Sequence, residues 1–174
     1  QYEVFSIDVS SPGKYQNPKC KYITRDICDP LDDLMKEKFD VIYHLAAEVG
    51  SGLSMADPLK FVNVNNNGTC NLLEAMRRCG KLAKVIVASS ATVYGEATYE
   101  SPEHGICYPD FRPLEQLERG EWELKCPKSG KDMKAVAIKE NRILMPASIY
   151  GESKLSQEWQ CLLLGRTRSE EHTS

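Results

Sequence analysis

Tyr150 and Lys154 stand four residues apart in the stretch IYGESK. A phenol, with a pKa of about 10, is a poor base at neutral pH. An ammonium ion held beside it favours the phenolate, which can take a proton from an alcohol. Spacing of four puts both side chains on one face only where the backbone between them is helical. A second pair at the same spacing, Tyr15 and Lys19 in YQNPK, contains Pro18, which forbids a helix and pushes Asn17 toward extended geometry. The second pair shares no face, so the first is the candidate. Ser90 adds a hydroxyl at the end of the apolar run KVIVASS. By itself a serine there is better explained as a cap on the following loop.

Short β-branched runs alternate with helical stretches on either side of these residues. EVFSID (3 to 8) and KYITRD (21 to 26) read as strands, and PLDDLMKEK (30 to 38) as a short helix. DVIYHLAA (40 to 47) and KVIVASS (84 to 90) are nearly continuous apolar runs, the pattern of strands buried on both faces. After the loop EVGSGLSMADP, residues 57 to 80 place Asp57 as N-cap, Pro58 in the first turn, Arg77 and Arg78 in the last and Gly80 as a stop. This predicts one long helix despite its asparagine cluster. The rhythm predicts an α/β fold with a doubly wound parallel sheet, whose ligands bind beyond the carboxyl ends of the strands. Residues 95 to 147, rich in Pro, Gly and charge, are too long for a plain loop and read as an insertion, with a short helix over 112 to 120 and a hairpin-like turn after it. Helical spacing resumes with Ile149, Ser153, Ser156 and Gln157, and the leucines at 162 to 164 are expected to give that helix an apolar side.

Bulk properties narrow the function classes. A chain of 174 residues, 41% hydrophobic and 27% charged, fits one soluble domain. A formal charge of −3 and a pI of about 5.7 leave no basic footprint for nucleic acid. No apolar run nears the roughly 20 residues that span a membrane. Seven cysteines, odd in number and scattered, suit a reducing compartment, so the cytoplasm is the expected location. Cys107, His104 and Cys126 lack a second CxxC, and no metal site is predicted. The tail RSEEHTS (168 to 174) resembles the in-frame translation of a common sequencing adapter and is set apart from the fold as artefact, His172 with it. Any targeting signal ahead of Gln1 would be invisible.

Six motifs in order resemble the extended short-chain dehydrogenase/reductase superfamily, in its NAD-dependent nucleotide-sugar epimerase/dehydratase branch. They are SID ending at Asp8, RDICD around Asp26, HLAA at 44 to 47, NNNGT at 65 to 69, ASSATVYG at 88 to 95 and YGESK at 150 to 154. Each alone is weak; their order over residues 3 to about 165 is specific. The resemblance implies a partial, Rossmann-like NAD-binding domain over residues 1 to 167, truncated at both ends. A glycine-rich phosphate loop is expected ahead of Gln1 and a substrate domain beyond the chain, so the 174 residues alone are expected to be inactive.

The resemblance also implies roles. Asp8 would accept hydrogen bonds from the adenosine ribose, favouring NAD over its 2′-phosphorylated form. Asp26 and Ile27 would contact adenine, and Leu45, Ala46 and Ala47 would let the backbone approach the dinucleotide. Asn65 would bond backbone beside the cofactor and support the site. Tyr150 would take the proton from a sugar hydroxyl while hydride leaves the same carbon for NAD, with Ser90 orienting the oxygen and Lys154 holding both the phenolate and the nicotinamide ribose. Ser90, Thr92 and Tyr150 would line the substrate.

Family dehydratases carry an Asp-Glu pair after the hydroxyl residue, and decarboxylases a Glu; this chain has Ala91-Thr92. Neither is an acid or base, which points to epimerisation at one carbon through a 4-keto sugar. FRPLEQLERGEWE and EVGSGLSMADP are similar to a subgroup of epimerases related to dTDP-L-rhamnose 4-epimerase. The alternatives are a UDP-glucose 4-epimerase and a non-catalytic NAD-sensing protein of the same fold, which typically lacks the Tyr/Lys pair. The expected partners are a nucleotide sugar and a second copy in a homodimer, with neither nucleic acid nor membrane.

Overall fold

The structure, a computed structural model, describes residues 2–80 and 83–171, with side chains as far as residue 166. Val4–Asp8 (β1) pairs in parallel with Cys20–Thr24 (β2), and Val41–His44 (β3) in parallel with Lys84–Val87 (β4). The registers set Ile7 opposite Ile23 and Ile42 opposite Val85. All four side chains pack against one apolar cluster that includes Leu31, Leu34, Met35, Leu72, Leu73 and Met76. The two pairs are not hydrogen-bonded to each other, yet they share the same helices. The period of two that turns these residues inward turns their neighbours outward. Val41, Tyr43 and Ile86 are therefore exposed, and the expectation of strands buried on both faces is not met among the described residues.

The first helix, Asp32–Met35 (α1), is shorter than residues 30 to 38, because the chain turns at Lys38 with φ of 56°. The segment expected as a loop after HLAA contains a helix, Ser51–Ala56 (α2). Asp57 caps the next helix as its type suggests, accepting from the Lys60 amide at 3.3 Å, and Pro58 opens Pro58–Phe61 (α3). The helix continues through a π-helical stretch, Val62–Asn67, into Gly68–Arg78 (α4). The wide turns fall on the asparagine cluster and bury Asn65 completely.

The insertion carries a sheet that its composition did not predict. Thr98–Ser101 (β5) takes Gly105–Cys107 (β6) and Lys134–Val136 (β7) on its two edges, both antiparallel. The expected helix is present as Leu114–Glu118 (α5). Tyr99, Cys107, Leu124, Cys126 and Met133 give the insertion its own small core. Arg142 ties it back to the main body, donating to the Ile143 and Glu96 carbonyls at 2.8 Å each and to Tyr94 and Ala97, with its guanidinium 4.9 Å over the Tyr108 ring.

The last helix, Ile149–Glu171 (α6), presents Tyr150, Ser153, Lys154 and Gln157 inward. Leu162 and Leu163 are half-exposed, so the expected apolar side is not covered by the described residues; Cys161 and Leu164 reach the main core instead. The helical backbone includes residues 168 to 171, so the tail set apart from the fold partly continues α6, whereas His172 and its two successors lie outside the described residues.

Candidate functional site

Parallel pairing brings the acids and small residues of the motifs to the carboxyl ends of the strands. Asp8 closes β1 with an exposed side chain; its Oδ1 accepts from the Ser10 amide at 2.8 Å. It borders a cavity of about 160 Å³ lined also by Ser6, Ser10, Tyr22 and Thr24. Asp26 and Ile27 follow β2, where Asp26 Oδ1 accepts from the Cys28 amide at 2.8 Å. Ile27 lies against α4 so closely that a Cβ on Gly68 would come within 2.6 Å of its Cγ2. Glycine at 68 is what lets this turn sit there. Leu45 and Ala46 are exposed beyond β3, with Ala47 partly buried behind them.

Asn65 connects the end of β3 to α6. Its amide accepts from Glu48 N at 2.8 Å, donates to Glu48 O at 3.1 Å and donates to Ser153 Oγ at 2.8 Å. Every polar atom of a fully buried side chain is thereby satisfied, which a helical asparagine in a packed position requires. Its bonds to Glu48 are backbone bonds of the kind expected of this residue.

Ser90 caps a short 3₁₀ helix, Ala91–Tyr94, and accepts from the Thr92 amide at 3.2 Å and the Thr92 hydroxyl at 2.9 Å. Capping leaves the Ser90 hydroxyl proton free to donate. The first turn of α6 packs directly on this 3₁₀ helix: a Cβ on Gly151 would lie 2.8 Å from Thr92 O. Free amides at the start of α6 are met by Ser148 Oγ, 3.1 Å from Gly151 N, and by Ser54 Oγ, 2.9 Å from Tyr150 N. Ser54, itself fully buried, thereby fixes the backbone of the candidate base. The Tyr150 ring stands edge-on to Phe61 at 6.2 Å, and its hydroxyl forms no hydrogen bond within the described residues. Tyr15, in the rejected pair, is 82% exposed.

Lys154, one helical turn on, is almost completely buried. Its Nζ donates to Gln157 Oε1 at 2.6 Å, and the Gln157 amide nitrogen lies 2.8 Å from Thr69 Oγ1 and 3.1 Å from His44 Nε2. Thr69 Oγ1 donates to Asn65 O at 2.5 Å and contacts His44 Nε2 at 2.7 Å. Burial pushes the Lys154 pKa down, against the pull of Glu158 and Cys161. Burial, helped by the Lys154 charge, holds His44 down to about 4.

His44 is therefore neutral in the fold but protonates when unfolded. Its contribution to stability is complete above the unfolded pKa of about 6.5 and is lost as pH falls toward about 4, some 3 kcal/mol in all. Urea unfolding of the wild type and His44→Gln at neutral pH and near the lower limit should show the wild type losing that much more than the variant. Parallel losses would contradict the buried neutral imidazole.

Ser54, Thr69 and Gln157 were not singled out as site residues by the sequence, nor was Asn71, which donates to Ile27 O at 2.8 Å and Asp29 O at 2.6 Å and so clamps the turn after β2. The available signal was polarity at inward helical positions: Thr69 lies four residues after Asn65 and Gln157 three after Lys154. Among the described residues no cluster of three or more His, Cys, Asp or Glu is arranged to hold a metal ion, and no helix is long and apolar enough to cross a membrane.

Comparison with known proteins places this arrangement among related chains. The family model for GDP-mannose 4,6 dehydratase matches residues 6–110. A dTDP-L-rhamnose 4-epimerase of Burkholderia thailandensis is 31% identical over 145 residues, covering 80% of this chain and 38% of that protein. A UDP-glucose 4-epimerase of Lacticaseibacillus casei is 31% identical over 153 residues, covering 86% of this chain and 35% of the other. The solved UDP-glucuronic acid 4-epimerase of Bacillus cereus, in complex with UDP-glucuronic acid and NAD, superposes with a TM-score of 0.65 at 27% identity, over 95% of this chain and 45% of that one. The UDP-Glc/GlcNAc 4-epimerase of Campylobacter jejuni gives 0.68 at 25% identity, over 97% and 43%. The chain spans little more than a third of the length of the curated relatives it matches.

Proposed function

This chain belongs to the GDP-mannose 4,6 dehydratase family, and from that premise we propose that the protein is an NAD-dependent nucleotide-sugar 4-epimerase, of the dTDP-L-rhamnose 4-epimerase type. The observation that carries the reading is the packing of the Ser90–Thr92 turn on the first turn of α6, with the Tyr150 hydroxyl unspent and the buried Lys154 one turn behind it.

The residues present fit NAD. Asp8 spends one carboxylate oxygen on Ser10 and keeps the other for a ribose diol, at the mouth of a cavity. Asp26 and Ile27 would hold the adenine end, and the exposed Leu45 and Ala46, with Ala47, would border the dinucleotide. Asn65, Tyr150 and Lys154 would flank its nicotinamide end. When bound, NAD supplies the acceptor, and in reduced form the donor, of hydride at the sugar carbon. Tyr150 removes the proton from the 4-hydroxyl as the 4-keto sugar forms, and returns it when the carbonyl is reduced on its other face. Ser90 donates its free proton to the sugar oxygen. Lys154, fixed by burial and its Gln157 contact, places its ammonium one helical turn from Tyr150.

Epimerisation rather than water loss is favoured by the side chains after Ser90. Ala91 carries no proton-transfer group, and Thr92 is spent on Ser90. The first carboxylate downstream, Glu96, is paired with Arg112 at 2.9 Å. The dTDP-L-rhamnose reading is supported by the Burkholderia relative and by the insertion segment around α5. The Lacticaseibacillus relative, at equal identity, supports UDP-glucose as the second substrate to try. Half-exposed Trp159, Leu162 and Leu163 on α6 support a homodimer through that helix, and the free cysteines support the cytoplasm. The test is to incubate the full-length protein and NAD with dTDP-L-rhamnose and with UDP-glucose and follow C4 configuration by proton NMR. Inversion should be faster on the dTDP sugar. Faster inversion of UDP-glucose would replace the substrate assignment, and water loss without inversion would overturn the epimerase.

A further inference from the structure

Lys154 poses a problem of electrostatics. Its ammonium is almost fully buried, and a cation out of water is costly unless hydrogen-bonded. Among the described residues its hydrogen-bond acceptor is Gln157 Oε1, at 2.6 Å. A glutamine amide alone is free to turn its nitrogen toward the lysine, which would place donor against donor. Here it is not free. Its nitrogen donates to Thr69 Oγ1 at 2.8 Å, and Thr69 is fixed in turn by donating to Asn65 O. Gln157, Thr69 and Asn65 are each fully buried and His44 nearly so, on β3, the π stretch, α4 and α6.

We propose that Gln157 is a positioning residue that seats the Lys154 ammonium, its amide held in the accepting orientation from behind by Thr69. The proposal deepens the epimerase reading by naming what keeps the lysine charged and in place, and it rests on that reading for its consequence in catalysis. The titratable groups around Lys154 are Tyr150, Glu158 and Cys161 on its own helix, Cys70 on α4 beside Cys161, and His44 on β3. On neighbouring elements Lys60 pairs with Glu48 at 2.9 Å and Arg78 with Asp32 at 2.5 Å, both at the surface. Neutral His44 adds no second positive charge to the site. Gln157 therefore offsets burial without a carboxylate that would neutralise the field at Tyr150.

The test measures Lys154 directly. In protein labelled with ¹³C at lysine Cε, the Lys154 signal is assigned by its absence in Lys154→Met and titrated through alkaline pH in the wild type, Gln157→Met and Gln157→Glu. Removing the acceptor in Gln157→Met should lower the protonation constant of Lys154 about tenfold, since a hydrogen bond to a charged group is lost. Gln157→Glu should raise it above the wild type. A titration unmoved in Gln157→Met overturns the proposal; should that variant fail to fold, an unmoved or lowered constant in Gln157→Glu overturns it instead. The readout needs no turnover, so an inactive protein would refute the epimerase reading while leaving the Gln157 seat standing.

Discussion

Tyr150→Phe should lower the turnover of the full-length protein by about three orders of magnitude or more while leaving its unfolding midpoint in urea unchanged. The two halves of that expectation come from different facts. The hydroxyl forms no hydrogen bond within the described residues, so its removal orphans no buried partner, and the ring keeps its edge contact with Phe61. What is removed is the proposed proton acceptor, placed one turn before a buried lysine and against the Ser90 turn. NAD affinity should change little, because Asp8, the acid proposed to bind the ribose, is untouched. A variant that kept its turnover would remove Tyr150 from the chemistry. One that lost turnover together with stability would show only that the helix start had collapsed.

The sequence carried the α/β class and the helical placement of the candidate residues further than the local detail around them. Tyr150 and Lys154 could be read because a helix puts residues four apart on one face, and α6 does so. Ser90 could be read because it follows an apolar run that does form a strand. What escaped was set by tertiary packing. The strands β5, β6 and β7 have only three or four residues each and read TYES, GIC and KAV; none has enough alternation to announce a sheet, and their stability comes from pairing and from the Cys126 and Met133 side chains beneath them. The helix α2 has a glycine at its second position and no side-chain cap, and is held by Ser54 reaching Tyr150. The π-helical turns have no composition signal, yet they turn Asn65 inward toward Glu48 and Ser153. Gln157 was noticed for its spacing and not for its polarity. The buried amide is explained only by a lysine three residues before it and a histidine far away in sequence.

Gly95→Ala should be the most damaging small substitution outside the chemical groups, with an expected loss of about 3 to 5 kcal/mol in unfolding free energy. Two costs combine at this position. The backbone sits at φ of 65° and ψ of −137°, a conformation open to glycine and strained for any side chain. A Cβ there would also fall 2.0 Å from the backbone oxygen of Met145, so the segment entering α6 would have to move. That segment is joined to the Ser90 turn by the Met145 amide, which donates to Val93 O at 3.1 Å, and by Arg142, which binds the Glu96 and Ala97 carbonyls. Moving it opens the seam between the first turn of α6 and the Ser90–Thr92 turn. Gly120→Ala separates the two costs, because Gly120 has φ of 73° but nothing within 4 Å of its would-be Cβ. It should lose only the conformational share, about 1 to 2 kcal/mol. Urea unfolding of both variants measures the difference; equal losses would mean that Met145 yields freely, and that the seam does not position the tyrosine.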